Sequence, residues 1–136
     1  MKLSTRSEYA LLAVMELTRR HGNGLVRIEE LAGGQRIPRK YLERILLTLR
    51  KGGVLRSRRG VGGGYELGRP PERITVAEVI RLMDGPLAAV RSVSTYFYAP
   101  SPIERNPELK RLFREVRDLV ARKMERTSLA SLRRKR

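Results

Sequence analysis

The chain has 136 residues, with 30 lysines and arginines against 14 acids, one histidine and no cysteine, for a formal net charge of +16. That length suits one domain with a core that needs no staple, and the missing cysteines exclude disulfides, thiolate metal or cluster ligands and a cysteine nucleophile. A balance this basic points to a polyanionic partner, chiefly nucleic acid, against the plainer alternative of a merely basic solvated surface.

The segment "MKLSTRSEYALLAVMELTRRHG" reads as an amphipathic helix over 4–20 and not as a secretory leader. Glu8 and Glu16 interrupt its apolar run, and no small-residue cleavage site follows. No stretch reaches the roughly 18 apolar residues of a membrane span, so a cytoplasmic setting is expected. Ser4 or Thr5 caps this helix, with Glu8 in the capping-box place for Thr5. Tyr9, Leu12, Ala13, Glu16 and Leu17 recur at helical spacing, and Leu11, Val14 and Met15 widen the apolar face.

After "HGNG", an extended piece and a short helix from about Arg27 or Ile28 to Ala32 are expected, stopped by Gly33 and Gly34 in a tight turn. "IPRKYLERILLTLRKGG" follows as a helix over about 38–51. Pro38 lies in its first turn, and Tyr41, Leu42, Ile45, Leu46 and Leu49 form the apolar stripe. Arg39, Lys40, Glu43, Arg44 and Arg50 are left on the other faces. A helix, a glycine turn and a basic amphipathic helix form a helix-turn-helix pattern. Charge concentrates here: nine lysines and arginines and one acid, Glu43, lie between Arg36 and Arg59.

"VLRSRR" and "YEL" alternate as strands do, joined by "GVGGG". The glycines do not form a nucleotide cradle. No lysine follows them as a P-loop requires, and Tyr65 stands where a dinucleotide fingerprint needs its third glycine. They read instead as the turn of a β-hairpin wing, in which glycine supplies positive φ. Such a backbone, at Gly62 for example, can lie against DNA while Arg58 and Arg59 reach phosphates or a narrow minor groove. "ITVAEVIRLMDG" is a further helix, with Thr75 as cap, Glu78 completing a capping box and Gly85 at its end.

Residues 86–105 lack a period, yet carry Tyr96, Phe97 and Tyr98, which are either effector-site candidates or packing residues for the next helix. "NPELKRLFREVRDLVARKMERTSLASL" is the clearest helix, capped by Asn106 with Pro107 in first place. Leu109, Leu112, Phe113, Val116, Leu119 and Val120 repeat at threes and fours, fitting either a dimer seam or internal packing. His21 reads as a helix C-terminal residue and not a metal ligand. No acid/base pair or metal-ligand cluster stands out, so catalysis is not expected. The division anticipated is a winged helix-turn-helix DNA-binding domain over 1–85, a connecting segment over 86–105, a dimerisation helix over 106–132 and a basic tail over 133–136. The fold class is mainly α with a small β-hairpin wing.

Three stretches carry a resemblance: "MKLSTRSEYALLAVMEL", the run Tyr41-Leu42-Glu43 to Leu49-Arg50-Lys51-Gly52-Gly53, and the wing Arg59-Gly60-Val61-Gly62-Gly63-Gly64-Tyr65. Together they resemble the Rrf-type winged-helix transcription regulators, the IscR/NsrR/CymR group. The match is specific over 1–85 and looser to about 132. The resemblance implies a homodimer on pseudo-palindromic double-stranded DNA, its recognition helix in the major groove, its wing in the minor groove and its long helices crossing in the dimer. By matching position it makes Arg39, Lys40, Tyr41 and Arg44 major-groove or phosphate contacts and Arg59 the minor-groove probe. Ser4 and Thr5 become phosphate contacts at a helix N-terminus. Glu43 matches a glutamate that tunes site choice, the plainer alternative being a surface pair with Arg39 or Lys40. Cluster-sensing members carry three cysteines before the long helix; this chain has none, so no cofactor and no metal are expected. A sequence-independent basic nucleic-acid-binding protein is the alternative.

Overall fold

The computed structural model describes residues 2–88, 93–94 and 98–133. In chain order it runs α1 (Thr5–Arg19), α2 (Ile28–Gln35), α3 (Arg39–Lys51), β1 (Leu55–Arg58), β2 (Gly64–Leu67), α4 (Val76–Asp84) and α5 (Pro107–Glu125). Short 3-10 turns lie at Pro71–Arg73, Pro102–Arg105 and Ala130–Leu132. This is the mainly helical body with one antiparallel hairpin that the sequence pattern anticipates. Among the described residues no helix is long and apolar enough to cross a membrane.

Ser4, not Thr5, caps α1: its Oγ accepts from the Ser7 N–H at 3.1 Å. Glu8 therefore falls one place beyond the capping-box position. The inward stripe is Ala10, Ala13, Val14 and Leu17, rotated from the one anticipated. Leu12 is 44 % exposed, and Glu16, though largely covered, is engaged by Arg19 and Arg20 and does not join the apolar stripe. The hydrogen bond from Arg19 and that from Arg20, against a burial penalty, hold the Glu16 carboxyl below its ordinary range.

α2 does not stop at Gly33. It runs through both glycines to Gln35, and the turn falls at Arg36, whose backbone is left-handed at φ 55°. A helical glycine costs only about 1 kcal/mol relative to alanine, which the burial of Leu31 and Ile37 on either side of that turn offsets. α3 then starts after Pro38, which is its N-cap and not its first helical residue. Leu42, Ile45, Leu46 and Leu49 face the core. Tyr41 departs from the expected stripe: it is 56 % exposed and meets Tyr9 edge-on, with ring centroids 6.3 Å apart.

The hairpin pairs Leu55 with Leu67, Arg56 with Glu66, Ser57 with Tyr65 and Arg58 with Gly64. Its turn-proximal half is pinned by a bridge to the segment before α2, in which Val26 and Tyr65 exchange two backbone hydrogen bonds of 2.8 Å. A Cβ at Gly64 would sit 2.5 Å from the Val26 carbonyl oxygen, so only glycine permits this approach. Arg69 fastens the other end, donating to the carbonyls of Gly53 (3.4 Å) and Arg73 (3.1 Å) and to the Glu78 carboxylate. Glu78 is thereby engaged elsewhere, and only half of the expected capping box forms, with Thr75 Oγ1 accepting from the Glu78 N–H.

α5 begins as expected, with Asn106 Oδ1 accepting from the N–H groups of Glu108 and Leu109. It ends at Glu125, short of the anticipated 132. The chain then returns to the N-terminal body: Val76 N–H donates to the Thr127 carbonyl, and Leu129 N–H donates to the Ile74 carbonyl, each at 2.9 Å. Leu129 is fully buried in the common core. Burying that side chain is worth about 2–3 kcal/mol, more than one further exposed helical turn would gain. Leu129→Ala is expected to lower unfolding free energy by about 2–4 kcal/mol. Urea titration measures this, and a loss below about 1 kcal/mol would contradict the docking.

Candidate nucleic-acid interface

α3 presents Lys40, Tyr41, Glu43, Arg44 and Leu47 to solvent. With Ile45 and Thr48, and with Arg6 from the first turn of α1, Lys40, Tyr41, Glu43 and Arg44 line an open groove of about 520 Å³. Arg6 was not anticipated. Its guanidinium donates to the Met83 carbonyl at 3.0 Å, so a residue 77 positions away steadies it at the groove. The sequence offers only its place in the first turn of a helix.

The cations on α3 are not equivalent. Arg39 stands between two carboxylates, Glu29 of α2 at 3.3 Å and Glu43 of α3 at 3.4 Å. Its charge is already compensated, and the plainer pairing of Glu43 is the one present. All three side chains are more than half exposed, so these pairs are weak and can open. Lys40 and Arg44 have no carboxylate partner among the described residues, and their charge is available to an anion.

The same distinction runs through the hairpin. Arg56 is matched across the strands by Glu66 at 2.8 Å. Arg58 and Arg59 are exposed and unmatched among the described residues. Gly60 and Gly62 have φ of 89° and 77°, and Gly63 N–H closes the turn on the Gly60 carbonyl at 3.0 Å. Gly62 is exposed, and Val61 stands fully exposed at the outermost point. Arg59 is thus at the shoulder of the turn, two residues from its apex. A second open cavity of about 360 Å³ is lined by Leu25, Arg56, Ser57, Arg58 and Glu66.

Ser4 and Thr5 are exposed at the N-terminus of α1, but Ser4 is occupied. Its N–H donates to Asp84 Oδ2 at 2.9 Å, and its hydroxyl donates to Asp84 Oδ1. Burial pushes the Asp84 carboxyl up, yet the hydroxyl and amide of Ser4 outweigh it and hold the group below its ordinary range. An anion reaching Ser4 would meet this carboxylate first. Thr5 has no such neighbour among the described residues.

No residue of α5 is buried within the single chain. Leu109, Leu112, Val116 and Leu119 are 46 %, 50 %, 38 % and 65 % exposed, at spacings of three, four and three. Phe113 and Val120 differ, being half-buried on a neighbouring face. Of the aromatic triplet, Tyr96 and Phe97 lie outside the described residues. Tyr98 is exposed, and its hydroxyl donates to Glu104 Oε1 at 2.6 Å, while Lys110 Nζ donates to the same oxygen at 3.1 Å. The hydrogen bonds from Tyr98 and Lys110 hold the Glu104 carboxyl below its ordinary range.

Residues 3–135 match the Rrf2 family, described as an iron-dependent transcriptional regulator. The donor set does not fit an iron–sulfur site: the chain has no cysteine and a single histidine. Among the described residues no three His, Cys, Asp or Glu side chains are grouped to hold a metal ion. The chain is 32 % identical to the HTH-type transcriptional regulator CymR of Bacillus subtilis over 132 residues, covering 97 % of this chain and 89 % of that protein. It is 38 % identical to the regulator IscR of Cereibacter sphaeroides over 94 residues, covering 68 % of this chain and 61 % of IscR. The solved structure of B. subtilis CymR, described as the global cysteine regulator, superposes with a TM-score of 0.78 at 32 % identity, covering 97 % of this chain and 95 % of that one. Oxidised CymR of Staphylococcus aureus gives 0.81 at 30 % identity, covering 100 % and 98 %. Matched through nearly its whole length in both sequence and fold, the chain belongs to the Rrf2 family of winged-helix, DNA-binding transcription regulators.

Proposed function

We propose that the protein is a homodimeric repressor that binds a pseudo-palindromic operator in the cytoplasm without an iron–sulfur cluster. The observation that carries this reading is the set of uncompensated cations on two adjacent elements, Lys40 and Arg44 on α3 and Arg58 and Arg59 on the hairpin. A helix with free cations on its outer face suits a major groove, and a glycine turn with arginines at its shoulder suits a minor groove. Tyr41 and Glu43 supply groups for base discrimination. Arg39 serves once its carboxylates release it, and Thr5 and Gly62 approach the backbone. The exposed stripe of α5 is the dimer seam, with Phe113 and Val120 at its flank. Two such protomers give the two-fold symmetry that a palindrome mirrors. Phosphate neutralisation supplies most of the affinity, and the helix and wing supply the choice of site. The stretch holding Tyr96, Phe97 and Tyr98 is where an effector would act.

Selection of bound duplexes from a random pool, with and without cell extract, tests the reading. A recovered palindrome gives the operator, and a shift with extract reveals an effector. Recovery of no consensus would leave a sequence-independent binder instead. On the recovered operator, Arg59→Ala is expected to weaken binding about tenfold, since a desolvated cation in a narrow minor groove is worth about 1–2 kcal/mol. A gel-shift affinity equal to wild type would remove the wing from the interface.

A further inference from the structure

Among the described residues, Arg36 is the one non-glycine with positive φ, at 55° with ψ 43°. It turns the chain from α2 into α3. In this conformation a Cβ crowds the following carbonyl, which is why glycine prevails at the place just past a helix. The backbone itself does not need a side chain there. The hydrogen bond that closes α2, from the Arg36 N–H to the Ala32 carbonyl, would form equally from glycine. Packing does not need it either, because Arg36 is exposed. Among the described residues Arg36 has no ion-pair partner, and Glu29 and Glu43 are both engaged by Arg39. A long cation therefore stands where the backbone disfavours any side chain, and what it contributes is charge and reach.

Its surroundings are open on the side of α2. Gly33 and Gly34 are exposed, and a Cβ built on either would meet nothing within 4 Å. The last turn of α2 thus leaves bare backbone beside Arg36, so a bulky anionic strand can come close without meeting a side chain. Lys40, the first free cation of α3, lies four residues further on. We propose that Arg36 is a DNA-phosphate contact, seated at the turn of the helix-turn-helix and reached across the glycine-lined end of α2. This rests on the DNA-binding reading above.

The test uses the full chain and three variants, Arg36→Gly, Arg36→Asn and Arg36→Lys. Arg36→Gly is expected to raise Tm by about 2–6 °C by relieving the turn. It is also expected to weaken binding to operator and to random duplex by the same factor, about fivefold per protomer, and to reduce the salt slope by about 0.9 per protomer. Arg36→Asn, which tolerates the left-handed backbone but carries no charge, should bind as weakly as Arg36→Gly, and Arg36→Lys should recover most of the affinity. Stability and binding moving in opposite directions is a result that a purely structural role cannot give. Unchanged affinity in Arg36→Gly overturns the proposal, as does a loss confined to the operator, which would make Arg36 a base reader. No gain in Tm overturns the premise of strain. A wild-type protein that binds no duplex at all would sink the DNA-binding reading itself, a different outcome from a wild type that binds and a glycine variant that binds equally well.

Discussion

Leu112→Asp combined with Val116→Asp is expected to convert the proposed dimer to a monomer and to cut affinity for the proposed operator by roughly a hundredfold or more. Both positions are exposed in the single chain, so the change adds no buried charge to the protomer and its helical content should persist. In the proposed seam the same positions would be covered by the partner's leucines. Two carboxylates per protomer would then be desolvated opposite their symmetry copies, a cost of several kcal/mol each. Loss of the dimer removes the second half-site contact, which otherwise binds at the effective concentration set by the first. Sedimentation equilibrium gives the mass, circular dichroism checks the fold, and a gel shift gives the affinity. A variant that still sediments as a dimer would place the interface elsewhere and leave the stripe on α5 unexplained.

The second large effect is expected from Lys40→Ala combined with Arg44→Ala. Neither side chain packs into the core and neither has an ion-pair partner among the described residues, so stability should change by no more than about 0.5 kcal/mol. A cation that bonds a base edge contributes about 1–3 kcal/mol of discrimination, and a dimer carries two copies of each. Operator affinity should therefore fall at least a hundredfold. If both are phosphate contacts, random duplex weakens in parallel and the salt slope falls with each charge removed; if either reads a base, specificity relaxes at one operator position in each half-site. Arg39→Ala is the useful comparison, with a smaller loss expected because Glu29 and Glu43 already compensate its charge. Wild-type binding by the double variant would exclude this face of α3 from recognition.

Much of this surface was legible in the chain itself. Composition placed the charge between Arg36 and Arg59, and helical spacing separated Leu42, Ile45, Leu46 and Leu49 from the polar side of α3, because a buried stripe must repeat with the helix. The caps at Thr75 and Asn106 were readable because each serves amides two or three residues away, whereas at α1 the sequence left Ser4 and Thr5 as alternatives. Local spacing was a poorer guide where two patterns overlapped. On α1 the leucines suggested one face, but the stripe of Ala10, Ala13, Val14 and Leu17 is the one that packs, since small side chains let helices approach closely. Gly33 and Gly34 looked like a stop, and a penalty of about 1 kcal/mol each was too small to end α2 against the packing of its neighbours.

What the sequence determined by itself was therefore the class of fold, the order of its elements and the charge of the face they present, all set by local periodicity, capping and composition. The tertiary structure alone decided which charges remain free. Glu66 takes Arg56, Glu29 takes Arg39 and Asp84 takes Ser4 across separations that no local pattern encodes, while the Glu43–Arg39 pair is the one that helical spacing already offered. It also decided that the chain after α5 returns to bury Leu129, and that an arginine, not a glycine, makes the turn before α3. The physical reason is common to these cases. Pairing and burial are set by which groups the folded chain brings within a few ångströms, and that distance has no counterpart along the sequence.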